Sequence, residues 1–313
     1  MKKGIYLTFD VGGTSIKAGV VDGSGEVLTH TLSQYESKAN GTATEIIDHF
    51  IHMAVDLLDK ADIDKQQRIA GIGYAFPGPF DYEQGISYIQ GLDKFEGLYG
   101  LRFGDLLRKG IEENGQIAAR MDRESILRFE NDAALFALGE AYFGQAATFR
   151  KAVCFTLGTG VGSGFMESGH LIKQREDIPA NGWVYHLPYR SGIADDYISR
   201  RGLLELARDF GLNRSGQDVK ELADAARRGE EAALQLFNAF GRQMGEALAS
   251  ALKTFAPDII VLGGQISKSG ELFVPSFSRE LSHRGVITSV AISTDSLRST
   301  LLGIYQMLQA HRG

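Results

Sequence analysis

The feature that most constrains the fold is a turn near the chain start, Asp10-Val11-Gly12-Gly13-Thr14. It follows Ile5-Tyr6-Leu7-Thr8-Phe9, an apolar run that reads as a buried strand. Paired glycines reach backbone angles closed to other residues and leave their N–H groups open to a phosphate. Beyond them, residues 15–22 alternate polar and apolar side chains and read as a returning strand. The unit is a hairpin, unlike the strand–glycine–helix unit of a dinucleotide fold. In such a hairpin Asp10 can hold a hydrated Mg2+ while Gly12, Gly13 and Thr14 hold phosphate. An ordinary glycine turn is the plainer alternative.

Glycine use points the same way. There are 38 glycines in 313 residues, about 12% against a usual ~7%, many of them clustered after apolar runs as in ligand loops. The length favours two domains. We place them at residues 1–120 and 121–296, with a last helix over 297–311 packing back on the first. A net charge of −6 without a basic cluster argues against nucleic acid as a partner. Cys154 is the one cysteine. It excludes an intramolecular disulfide and a cysteine-rich zinc site, and it suits a reducing cytoplasm. No run reaches the ~20 apolar residues of a membrane span, and the run after Met1-Lys2-Lys3 is too short for a signal peptide. The expectation is a cytoplasmic protein with no membrane contact.

In chain order, residues 26–34 read as a third strand and 42–61 as an amphipathic helix. A strand over 68–75 ends in Pro77-Gly78-Pro79, a rigid turn that is either a stop signal or one wall of a ligand site. A helix is expected over 104–114. A strand over 125–129 enters Glu130-Asn131-Asp132, and a helix follows over 133–143. Asp132 fits two roles: the N-cap of that helix, or a carboxylate that takes a proton from a sugar hydroxyl. A strand over 151–157 runs into Gly158-Thr159-Gly160-Val161-Gly162-Ser163-Gly164, a second glycine–threonine phosphate loop. Residues 174–190 are polar and aromatic without periodicity. Helices follow over 194–209, 219–227 and 231–255. A strand over 258–262 ends in Gly263-Gly264, and the chain closes with a helix from 272, a strand over 286–292 and a helix over 297–309. Three glycine turns after three strands lead to the expectation of one nucleotide site between two domains.

These motifs, in this order, resemble the ROK family of repressors and sugar kinases, within the hexokinase–actin superfamily. The resemblance spans nearly the full chain. It implies an α/β, two-domain ribonuclease H-like (actin-like ATPase) fold with a ligand cleft between domains, binding ATP, magnesium and a sugar. By the match of motifs, Asp132 falls at the catalytic aspartate and Asp10 at the magnesium position. Gly12, Gly13, Thr14, Lys17, Gly158, Thr159, Gly160, Gly162, Gly263 and Gly264 fall at the nucleotide. Pro77, Gly78, Asn131, Trp183, His186 and Asp195 fall at the sugar. A homodimer is usual in the family.

The departures are informative. The family carries an alanine-glycine-glutamate-x-glycine-histidine stretch and then cysteines that bind structural zinc. Here the matching stretch is Asn181-Gly182-Trp183-Val184-Tyr185-His186, with Trp183 in place of a sugar-binding glutamate. No cysteine follows, so no structural zinc site is expected. His186 is then either a packed histidine or a sugar contact. Trp183 is either a local hydrophobic plug or a pocket wall offering an apolar face to a modified sugar. The activity implied is ATP-dependent phosphorylation of a hexose or hexose derivative, glucokinase- or fructokinase-like, with Asp132 as general base. The alternative is a non-catalytic sugar sensor. With nine residues before Asp10, the DNA-binding domain of the repressor branch is not expected.

Overall fold

The computed structural model describes residues 4–62, 67–212 and 217–311. The chain divides into two compact units, residues 1–135 with 297–313 and residues 136–296.

In the first unit, β1 (Ile5–Val11) and β2 (Ser15–Val21) form the expected antiparallel hairpin, with Asp10 opposite Lys17. The third strand, β3, lies at Ser33–Glu36 rather than over 26–34. The reason is local: Val27 bridges Val21 and the Leu28 N–H reaches the Val20 carbonyl at 2.8 Å, but Thr29–Thr31 then make a 3-10 turn whose buried Thr31 hydroxyl accepts the Val20 N–H at 2.9 Å, which interrupts the pairing. Helix α1 (Ala43–Ala61) opens with a capping box between Thr42 and Glu45 and buries Ile46, Phe50, Met53 and Leu57 along one stripe. Strand β4 (Ile69–Ala75) is buried throughout, as expected of a strand covered on both faces. A short hairpin, β5 (Phe80–Asp81) with β6 (Ile86–Ser87), leads to α2 (Phe103–Glu113) and α3 (Gly115–Ala118).

Strand β7 (Met121–Glu130) then pairs in parallel with β4. That pairing carries residues 121–135 into the first unit, where the sequence reading placed the boundary after 120. Helix α4 (Asp132–Phe143) passes into the second unit.

The second unit opens with β8 (Lys151–Leu157), β9 (Val161–Glu167) and β10 (His170–Ile172). A hairpin follows, β11 (Pro188–Tyr189) with β12 (Gly192–Ile193). The single helix expected over 194–209 is two, α5 (Ala194–Ile198) and α6 (Arg200–Asp209). Ser199 breaks it in an extended conformation, and its hydroxyl caps α6 at the Gly202 N–H. Helices α7 (Val219–Arg227) and α8 (Glu231–Phe255) fall where periodicity places them. They are followed by β13 (Ile259–Gly263), α9 (Gly270–His283) and β14 (Ser289–Ile292).

Helix α10 (Ser296–Ala310) belongs to the first unit, where the Tyr305 hydroxyl reaches the Gly23 carbonyl and the Gln309 amide reaches the Tyr6 hydroxyl.

The two sheets share one plan. The first runs β3-β2-β1-β4-β7 and the second β10-β9-β8-β13-β14. In each, a three-stranded antiparallel meander continues into two parallel strands. The glycine turns at 12–14 and 158–160 therefore occupy equivalent places, the first hairpin of each sheet. Each sheet has its own core, around Phe9, Tyr74 and Phe50 in the first unit and around Phe155, Phe237 and Phe240 in the second.

Candidate active site

Each hairpin turn presents backbone donors. At the first, the Gly12 N–H closes the turn on the Ser15 carbonyl at 3.1 Å, while the Gly13 and Thr14 N–H groups donate to nothing among the described residues. At the second, the Gly158 N–H donates to the Gly160 carbonyl at 3.0 Å, and the Thr159 and Gly160 N–H groups are likewise open. Free N–H groups on a tight turn at a sheet end are what a phosphate needs. Gly263 ends β13, and a Cβ there would meet the Phe136 ring at 2.3 Å. Gly264 turns away at φ +88°, a conformation that suits glycine, and its N–H is held by the Ser296 hydroxyl at 3.2 Å.

Asp10 lies at the end of β1, between β2 and β4. Its carboxyl pKa is pushed up to about 6, chiefly by burial, then by the negative charge of Asp132, with Lys17 pulling the other way. Two carboxylates that repel each other are a natural seat for a divalent cation. The chemistry of these residues fits a divalent cation such as magnesium.

Asp132 is the first residue of α4, but it is not the helix cap. Asn131 caps it: its Oδ1 accepts the Ala133 and Ala134 N–H groups at 3.1 and 3.2 Å. The Asp132 carboxylate accepts the Ala133 N–H at 2.9 Å, and its own N–H and the Asn131 side chain also lower its pKa. It keeps a solvent-exposed surface, yet protein walls it closely enough that burial raises its pKa above the usual carboxylate range. The Ala133 N–H and the Lys94 ammonium oppose that rise. A carboxylate that solvent can reach and that holds a proton more tightly than usual is equipped as a general base. Nδ2 of Asn131 points to the Tyr82 hydroxyl at 3.5 Å, and that hydroxyl donates to the Phe76 carbonyl at 3.0 Å. A Cβ on Gly78 would sit 3.3 Å from the same oxygen. Tyr82 thus joins the Pro77-Gly78 turn to Asn131, a link that sequence spacing does not reveal.

In the second unit Trp183, Tyr185 and His186 form an aromatic row, with Tyr185 6.0 Å from Trp183 and 5.0 Å from His186 between ring centroids. The Ser163 hydroxyl pins this segment to β9 by donating to the Gly182 carbonyl at 2.6 Å and accepting the Val184 N–H at 3.0 Å. Val184 is fully buried, while Trp183 and His186 are half-buried. His186 forms no hydrogen bond among the described residues.

Asp195 lies at the start of α5, where its N–H donates to the Tyr185 carbonyl at 3.0 Å and its carboxylate accepts the Val161 N–H at 2.7 Å. The structure therefore brings Asp195, the aromatic row and the second glycine turn together. Burial raises the Asp195 pKa against the pull of the Val161 N–H and Arg201.

Where the family resemblance leads one to look for cysteine ligands, the β11–β12 hairpin is held by side chains instead. The Tyr189 hydroxyl donates to Glu246 at 2.5 Å, and Arg190 reaches Gln243 at 3.0 Å and Glu246 at 3.2 Å. Among the described residues no group of three His, Cys, Asp or Glu could hold a metal, and Cys154 is buried in β8. The donor set does not fit a structural zinc. A cavity of about 500 Å³ beside α8 and α9, lined by Phe210, Asn238, Arg242, Arg279 and His283, contains none of the residues discussed above. No helix among the described residues is long and apolar enough to cross a membrane.

Comparison with known proteins bears on this geometry. The chain is 29% identical over 292 residues to a glucokinase of Thermotoga maritima, covering 87% of this chain and 85% of the relative. It is 27% identical over 288 residues to an N-acetyl-D-glucosamine kinase of Haemophilus influenzae, covering 86% of each. Among solved structures, a ROK family glucokinase from Streptomyces griseus in complex with glucose and AMPPNP superimposes with a TM-score of 0.74 at 21% identity, over 98% of this chain and 100% of that one. This likeness shows the actin-like ATPase fold. The profile of the ROK family matches residues 6–297, and the chain belongs to that family.

Proposed function

We propose that this protein is an ATP-dependent kinase that transfers the γ-phosphate to a hydroxyl of a hexose or hexose derivative. The observation that carries the reading is Asp132, relieved of helix capping by Asn131, open to solvent, and with a raised pKa beside Asp10. The relatives' names, glucokinase and N-acetyl-D-glucosamine kinase, support the same class of reaction.

Asp132 accepts the proton as the sugar hydroxyl attacks phosphorus. The open N–H groups of Gly13, Thr14, Thr159 and Gly160 bind phosphate oxygens, with Gly12, Lys17, Gly158, Gly162, Gly263 and Gly264 shaping the nucleotide contacts. Asp10 would hold magnesium, which when bound offsets phosphate charge. Pro77, Gly78, the Asn131 amide, Trp183, His186 and Asp195 bind the sugar.

Trp183 bears on which sugar. An indole offers a donor and an apolar face where the family's glutamate accepts hydroxyls, which favours a hexose carrying a substituent. It also favours a second reading, a sensor that binds sugar without turnover. ADP release across a panel of hexoses and N-acyl hexosamines separates the two. The kinase reading expects turnover on at least one sugar, and a changed order of preference in Trp183→Glu. Sugar binding with no ADP release on any of them would favour the sensor. An unchanged order in Trp183→Glu would make Trp183 structural.

A further inference from the structure

Lys94 sits in a loop whose sequence gives no hint of a role, yet three features of the first unit converge on it. Its stem lies along the first glycine turn: a Cβ on Gly13 would stand 3.2 Å from Lys94 Cδ and 3.7 Å from its Cβ. Its backbone is fixed on both sides. Asp93 and Phe95 are left-handed, at φ 51° and 53°. The Leu92 and Asp93 N–H groups both donate to Glu96 Oε1, at 3.1 and 3.2 Å. Phe95 is fully buried, packs its ring 5.2 Å from that of Phe76, and donates its N–H to the Ala39 carbonyl at 2.6 Å. A loop lysine placed only by solvation needs no such anchoring. Finally, the positive charge of Lys94 helps draw the Asp132 pKa down, yet among the described residues Lys94 makes no hydrogen bond and no ion pair within 4.0 Å. A cation whose stem lies along a phosphate turn, and which no carboxylate pairs, is available to a phosphate oxygen.

We propose that Lys94 is a catalytic cation whose ammonium binds the oxygens of the phosphoryl group passing from ATP to the sugar. The inference rests on the kinase reading above. The sugar oxygen forms a bond to the γ-phosphorus. The bond from that phosphorus to the β–γ bridging oxygen breaks, its electron pair leaving on ADP, and the hydroxyl proton goes to Asp132. Lys94 exchanges no proton. It offsets negative charge on the equatorial oxygens, where positioned cations act most strongly in phosphoryl transfer.

The test uses Lys94→Met and Lys94→Arg in the full chain, with ATP and ADP affinities measured by calorimetry without sugar, and turnover measured separately. Lys94→Met is expected to bind ADP within about twofold of wild type, to lose about tenfold in ATP affinity, and to fall about 100-fold in kcat at unchanged sugar KM. Lys94→Arg is expected to recover part of both losses, and thermal melts of both variants check folding. Unchanged kcat and an unchanged ATP-to-ADP affinity ratio in Lys94→Met would overturn the proposal. If the wild type binds ATP but phosphorylates no sugar, the kinase reading fails. The affinity ratio then still decides whether Lys94 meets the terminal phosphate.

Discussion

Asp10 is costly to the fold and useful to the proposed chemistry. A carboxyl whose pKa rises on folding binds its proton more tightly in the native state, so its ionised form weakens folding above the native pKa. Below the unfolded value, 3.8, both states are protonated and the penalty vanishes. The rise to about 6 corresponds to roughly 2–3 kcal/mol at neutral pH. Asp10→Asn is therefore expected to stabilise the ligand-free protein at pH 7.5 by about 2 kcal/mol, measured by urea unfolding, and to lose that advantage by pH 4. Equal stability of the two proteins at pH 7.5 would contradict the burial and repulsion assigned to Asp10. The hairpin that carries Asp10, Gly12 and Gly13 was legible in the sequence because a strand, an acid and two glycines are contiguous. Lys94 and Tyr82 were not, because each matters through a residue far along the chain, Gly13 for one and Asn131 for the other.

At the scale of elements, legibility follows how local the cause is. Helices α7 and α8 lay open because their periodicity is long and Asp218 opens α7 with a capping box. The break between α5 and α6 rests on one serine hydroxyl, and the displaced β3 on one threonine hydroxyl, each making a bond that competes with the regular pattern. The β11–β12 hairpin was illegible for a different reason: its support comes from Gln243 and Glu246 on α8, far along the chain. Arg190 is also packed 4.9 Å over the Tyr189 ring. Because it is half exposed, its charge-assisted bonds are worth less than buried ones. Arg190→Ala is expected to cost about 1–2 kcal/mol, whereas a zinc chelator should leave the melting temperature of the wild type unmoved. A melt that drops with chelator would show a metal holding this segment.

At the scale of the molecule, the repeated strand order of the two sheets explains why two glycine hairpins recur at equivalent places. The sequence displayed the two turns but not the repetition, which lives in strand pairing rather than in residue identity. Pairing also decided the boundary, since β7 joins β4 and takes Asn131 and Asp132 into the same unit as Asp10. The central claim is that Asp132 is the base of a sugar kinase, and capping by Asn131 makes it testable, because Asp132→Asn leaves the helix start intact. The decisive measurement is sugar-dependent ADP release by wild type and Asp132→Asn side by side, with ATP affinity and melting temperature measured on the same preparations. The account predicts one ADP per sugar phosphate from the wild type. For the variant it predicts a loss of at least ~100-fold in kcat with ATP affinity and melting temperature nearly unchanged. Near-normal turnover by a folded, ATP-binding Asp132→Asn protein would contradict it.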